Sequence, residues 1–223
     1  MKFTWMKWSA VPVAVVMAAG VALAQSTTPP AQPQNDPTVN QRRENQQDRI
    51  ANGVQSGQLT AGETANLENK EAAVNGEIRA DRAANNGRLT GAERQQVNQQ
   101  QNQLSKQIYQ DKHNANTAHY GNNEVGQRRE NQQDRIAQGV RSGQLTAGET
   151  AHLENQERGI NQQIAADRSA NGGRLTQGER QQINHEQNQE SRNIYRDKHN
   201  GATQGSGKAA KAAKSQAKAA KKS

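Results

Sequence analysis

Four turns carry the residues best placed to do chemistry. Each reads Gly-x-Leu-Thr-x-x-Glu, from Gly57 to Glu63, Gly87 to Glu93, Gly143 to Glu149 and Gly173 to Glu179. Near the second and fourth turns, Asp81 and Asn85 accompany Glu93, and Asp167 and Asn171 accompany Glu179. Carboxylate and amide oxygens grouped this way suit a hard cation such as calcium, which takes six to eight oxygen ligands. The same phrase also has a mechanical reading. Thr three residues before Glu is a capping box, in which the hydroxyl accepts from one backbone amide and the carboxylate from another. The glycine can take the left-handed conformation that ends the preceding helix. A second cluster is cationic: Lys208, Lys211, Lys214, Lys218, Lys221 and Lys222 occupy the C-terminus with no acid among them.

Other chemistries find little support. The chain has no cysteine, which excludes disulfides and thiolate ligands. His113 and His199 close two Asp-Lys-His-Asn phrases, where a cation favours a helix C-terminus without any ligand role. His119 falls in a linker, and His185-Glu186 lacks the second histidine of a zinc-protease helix. No nucleophile elbow, phosphate-binding loop or dinucleotide fingerprint occurs. The expectation is therefore no enzyme, no cofactor beyond weakly held calcium, and no small-molecule substrate. The carboxylates are expected on solvated helix faces or in caps.

The elements that must position these residues come from a duplication. Residues 41–114 return at 127–200, offset by 86, with 53 of 74 aligned positions identical, so one copy is the structural unit. Each copy predicts three helices: 41–55, 60–84 and 90–113, then 127–141, 146–170 and 176–199. Ile50 and Val54, then Leu67, Val74 and Ile78, then Val97, Leu104 and Ile108 put a narrow apolar stripe on each. The leucine before each capping Thr lacks an apolar N4 partner, so it must pack elsewhere. Glu190 stands where the first copy has Leu104, and is expected at a rim. The predicted fold class is all-α: two tandem small three-helix modules with a disordered leader and tail. Eleven large apolar residues in the first copy predict a weakly held bundle.

The ends have their own signals. Lys2 and Lys7, the apolar run Ala10 to Val21 and Ala22-Leu23-Ala24 read as a cleavable secretory signal peptide over 1–24, hence export to the periplasm or beyond. A proline-rich linker follows over 25–40, repeat one over 41–114, a linker over 115–126, repeat two over 127–200 and the tail over 201–223. Removing Lys2, Lys7 and the six tail lysines leaves 21 basic against 21 acidic residues, so the excess charge of the mature chain sits in the tail.

Four resemblances bear on function. The Gly-Leu-Glu spacing of the turns resembles a half-loop of the EF-hand family, which implies calcium at the ligand positions. Strict register there places Arg82 and Arg168 first and Ala84 and Ala170 third, while one extra residue brings in Asp81 with Asn85, or Asp167 with Asn171. Over 41–200, phrases such as RIAxGVxSGQLTAGE, ADRxANxGRLT and IYxDKHN are similar to uncharacterised exported helical-repeat proteins of environmental bacteria, a likeness that implies no activity. The last sixteen residues resemble the lysine-alanine tails of linker-histone-like proteins. This implies salt-dependent contact with anionic envelope polymers, anionic lipid head groups or extracellular nucleic acid. A body rich in Gln, Asn and Gly, with a mean hydropathy of −1.17, resembles the hydrophilins, associated with protection against water deficit. The reading is a non-catalytic exported repeat protein with a structural, interaction or stress-protective envelope role, the alternative being a weak calcium module.

Overall fold

The computed structural model describes residues 37–204, and its helices begin where local chemistry gives them a start. They are α1 Pro37–Gln55, α2 Ala61–Ala84, α3 Gly91–Lys112, α4 Glu124–Ser142, α5 Ala147–Ala170 and α6 Gln177–His199, with no strand among the described residues. All four threonine–glutamate phrases close as complete capping boxes at the starts of α2, α3, α5 and α6. At the first, the Glu63 amide donates to Thr60 Oγ1 at 3.3 Å and the Thr60 amide to Glu63 Oε2 at 2.9 Å. The turn glycines Gly57 and Gly143 stop the preceding helices at φ of 70° and 71°.

Two helices begin earlier than their periodicity predicts. Pro37 opens α1, where its missing N–H costs nothing, and the Asn123 side chain caps α4 by accepting from the Gly126 amide at 2.9 Å. Both extensions bury a valine, Val39 and Val125, which are themselves 86 apart. Residues 37–40 are thus helical, not extended linker. The segment read as a signal peptide, most of the proline-rich leader and the lysine tail lie outside the described residues.

Each copy packs its own three helices, with α3 resting on α1 and α2, and α6 on α4 and α5. The most extensive pairings nevertheless join the copies: α2 lies on α5 and α1 on α4. The main apolar cluster accordingly mixes Ile50, Leu67 and Ile108 of the first copy with Ile136, Leu153 and Ile194 of the second. A shared core compensates for the few apolar residues per copy, since area removed from water grows when two small bundles fuse. The contact is reciprocal: the start of α2 meets the middle of α5, and the start of α5 meets the middle of α2. Such self-complementary placement is the signature of a two-fold interface, here within one chain. Arg141 lies near the axis, where its Nη2 donates to Asn52 Oδ1 at 2.7 Å and to Gln55 Oε1, its own counterpart, at 2.8 Å.

Two of the four staple leucines find their partners in glycines of the preceding helix, while Leu89 and Leu175 pack with the apolar stripes of α2 and α5. Leu59 and Leu145 are fully buried, and their Cδ1 atoms lie 2.6 Å from where a Cβ would stand on Gly53 and Gly139. A still closer approach occurs at Gly126, where an added Cβ would meet Tyr120 O at 2.0 Å and Gly121 O at 2.2 Å. The inter-repeat linker crosses α4 there, whereas the counterpart in α1 is Asn40. Gly126→Ala should therefore cost roughly 1–3 kcal/mol or more, because both clashing atoms are backbone. Chemical denaturation would measure it, and an unchanged midpoint would show that the linker does not cross α4 this closely.

Candidate functional site

The packed face of α2 runs Ala61, Thr64, Ala65, Glu68, Glu71, and the same series in α5 ends in Glu154 and Glu157. Small residues at three- and four-residue spacing let the two helices approach, and the stripe then carries its glutamates inward. Glu68, Glu71, Glu154, Glu157 and Glu190 are each no more than 1 % exposed. Glu190 is therefore interior, not at the rim: its neighbours on α6 continue the buried stripe Ile183, Gln187, Glu190, Ile194. These five also overturn the expectation that the carboxylates sit on solvated faces or in caps.

Glutamine amides meet part of this polar interior. Gln47 Nε2 donates to Glu68 Oε2 at 2.9 Å, and its counterpart Gln133 donates to Glu154 Oε2 at 3.1 Å. Gln46 and Gln132 each donate to a main-chain carbonyl of the third helix, Gln101 O and Gln187 O, at 2.7 Å. The second oxygens of Glu68, Glu154, Glu157 and Glu190 have no hydrogen-bond partner, nor does either oxygen of Glu71. A buried carboxylate in that condition is costly, and holding its proton removes the charge. Burial pushes Glu68 and Glu190 up to about 8 and Glu71 up to about 7. Glu154 is driven well above the usual carboxylate range by burial, with the Glu157, Glu190 and Glu68 charges adding to it. Glu157 is raised by burial, which Arg129, 3.2 Å away, only partly offsets. Tyr120 packs its ring 5.1 Å from the Arg129 guanidinium carbon, and burial beside Glu154 and Glu157 raises its hydroxyl.

Chemically, Glu68, Glu71 and Glu190 are placed to hold a proton near neutrality where almost no solvent reaches them. A signal was present in the sequence. Glu68 and Glu71 continue the Ala61, Thr64, Ala65 stripe, and both recur in the second copy.

The residues proposed for calcium are brought together, but by hydrogen bonds of their own. Asn85 Nδ2 donates to Asp81 O at 2.9 Å and to Glu93 Oε1 and Oε2 at 2.8 and 3.0 Å. Asn171 Nδ2 repeats this with Asp167 O at 2.8 Å and with Glu179 Oε1 and Oε2 at 2.8 and 3.0 Å. Three acceptors converge on one amide nitrogen, so calcium would require that amide to turn away. Backbone donation from Thr90 and Thr176 holds the Glu93 and Glu179 carboxyls below their ordinary values. No group of three or more His, Asp and Glu side chains is disposed to hold a metal ion among the described residues. His113 Nδ1 and His199 Nδ1 donate to Tyr109 O and Tyr195 O at 2.7 and 2.6 Å, with rings stacked on those tyrosines at 4.2 and 4.1 Å. Lys208, Lys211, Lys214, Lys218, Lys221 and Lys222 lie outside the described residues. Compared with protein-family models, curated proteins and solved structures, the chain matches none.

Proposed function

We propose that this chain is a non-catalytic, exported, all-α repeat protein with a structural, interaction or stress-protective role in the cell envelope, its lysine tail contacting anionic polymers. The two copies are best read as three-helix modules that pair like the halves of a dimer. One observation carries the stress-protective side: five glutamates are buried where the copies and their third helices meet. Groups of this kind favour the folded chain as protons become available. An exported protein meets the pH of its surroundings, and a fold that tightens in acid suits that position. The polar composition, with a mean hydropathy of −1.17, supports the same reading.

The test is to dry a labile reporter enzyme at pH 5 with the full mature chain. The enzyme should keep activity well beyond an equal mass of serum albumin, and equal protection would sink the stress-protective reading. Retention on immobilised heparin should fall steeply with salt and disappear on deletion of 208–223. A tail-deleted chain retained as before would remove the polyanion contact. If helix content instead rises only with calcium, and Glu93→Gln with Glu179→Gln abolishes the rise, the calcium module is the right reading.

A further inference from the structure

A cavity of about 400 Å³ lies where α1 and α2 meet the start of α5, bounded by Arg43, Arg79, Arg82 and the first turn residues Ala147 and Gly148. The internal two-fold gives it a twin around Arg129, Arg158 and the first turn of α2. The two have diverged. In the twin, Arg129 pairs with Glu157 at 3.2 Å and lies under the Tyr120 ring. Arg158 Cδ sits 3.3 Å from a Cβ built on Gly62, covering the α2 N-terminus.

None of these arrangements recurs at the first site. Ala72 stands at the position of Arg158, and Arg79 at that of Ala165. Among the described residues, nothing lies within 4 Å of a Cβ built on Gly148 at the start of α5. Arg43 is only 9 % exposed, and its Nε has no hydrogen-bond partner. Nε and Nη2 of Arg82 are likewise buried and unpartnered. The Arg43 donation to Asn75 Oδ1 is long, at 3.5 Å. Ion pairs among the described residues join Arg129 to Glu157 and Arg196 to Asp197, and these three arginines take part in neither. The charges bearing on Arg43 are Glu71 and Glu44 against Arg82 and Arg79.

We propose that this cavity binds a phosphate-class oxyanion, held by the guanidiniums of Arg43, Arg79 and Arg82 and by the free amides that begin α5. Three guanidiniums around one cavity offer more donors than one carboxylate can accept, and a phosphate dianion has the oxygens to use them. Helix N-termini add donors of the same sense. The anion completes buried donors that otherwise stay unsatisfied, which is costly. The site is independent of the lysine tail, so its failure would leave the polyanion reading standing.

Isothermal titration of the full mature chain at pH 6.5, with inorganic phosphate and with phenyl phosphate, tests this. One saturable site per chain is expected. Arg79→Gln, at an exposed side chain that the fold does not need, should weaken binding at least tenfold with an unchanged melting temperature, and Arg82→Gln should do the same. Tighter binding of phenyl phosphate than of inorganic phosphate would identify an organic phosphate as the ligand, and equal binding would identify free phosphate. At pH 8, where Glu71 has given up its proton, Glu71→Gln removes a buried like charge and should strengthen binding. Absence of a saturable site, or binding that persists in Arg79→Gln and Arg82→Gln, overturns the proposal.

Discussion

Chemical denaturation of a chain spanning residues 25–223 should give a stability that falls by several kcal/mol as pH rises from 5 to 8. Glu68 and Glu190 sit at about 8 and Glu71 at about 7 in the folded chain, against an ordinary value of 4.5. Between those values the folded state binds more protons than the unfolded state. Stability is then greatest at and below the unfolded value and is lost as pH rises through the folded one, at about 1.4 kcal/mol per pH unit per proton. The capping glutamates Glu63, Glu93 and Glu179 are shifted the other way. Their contribution is present above the unfolded value and fades as pH drops below it, so the optimum should lie near pH 4.5–5, between the two opposing effects. Glu68→Gln replaces a proton-holding carboxyl with a neutral isostere that still accepts from Gln47. It should stabilise the chain at pH 8 by roughly 1–4 kcal/mol, much less at pH 5, and flatten the profile. A profile of Glu68→Gln parallel to that of the parent would show that Glu68 does not titrate with folding.

Much of the architecture was readable in advance because it is local. Thr60 with Glu63, and the three phrases like it, state a helix start within four residues, and the turn glycines state a stop. The starts of α1 and α4 were harder. Val39 and Val125 lie outside the strongly repeated block, so their burial leaves only a single matching pair in the sequence. The pairing of α2 with α5 was not legible at all, since short-range periodicity says which face is apolar but not which helix covers it. The buried carboxyls escaped for a related reason. A glutamate on a helix reads as solvated, and only the opposite copy turns Glu68 and Glu154 into interior groups. The asymmetric cavity at Arg43 is visible only by comparing two sites that the sequence keeps far apart. The calcium reading drew on real convergence, for Asn85 does meet Asp81 and Glu93, but spacing cannot say that the amide nitrogen faces them.

Truncating Leu67 to alanine should destabilise both copies at once. Leu67 is fully buried and shares one cluster with Leu104 and Ile108 of its own copy and with Ile136, Leu153 and Ile194 of the other. Leucine-to-alanine changes in such cores cost about 2–5 kcal/mol, depending on how far the site collapses. In a chain of two independent modules that loss would stay in the first copy. Here it removes contacts from both sides of the two-fold, and the polar α2–α5 seam cannot hold the copies together without that core. Breaking the seam would also expose Glu68 and Glu154 to water, where they ionise and oppose reclosure above pH 5. Hydrogen exchange read by mass spectrometry decides the matter. The slow amides of α4, α5 and α6 should lose protection in Leu67→Ala in step with those of α1, α2 and α3, and Leu153→Ala should give the mirror result. Protection retained in the untouched copy would mean that the repeats are separate folding units, and that the buried glutamates couple to the opening of one copy alone.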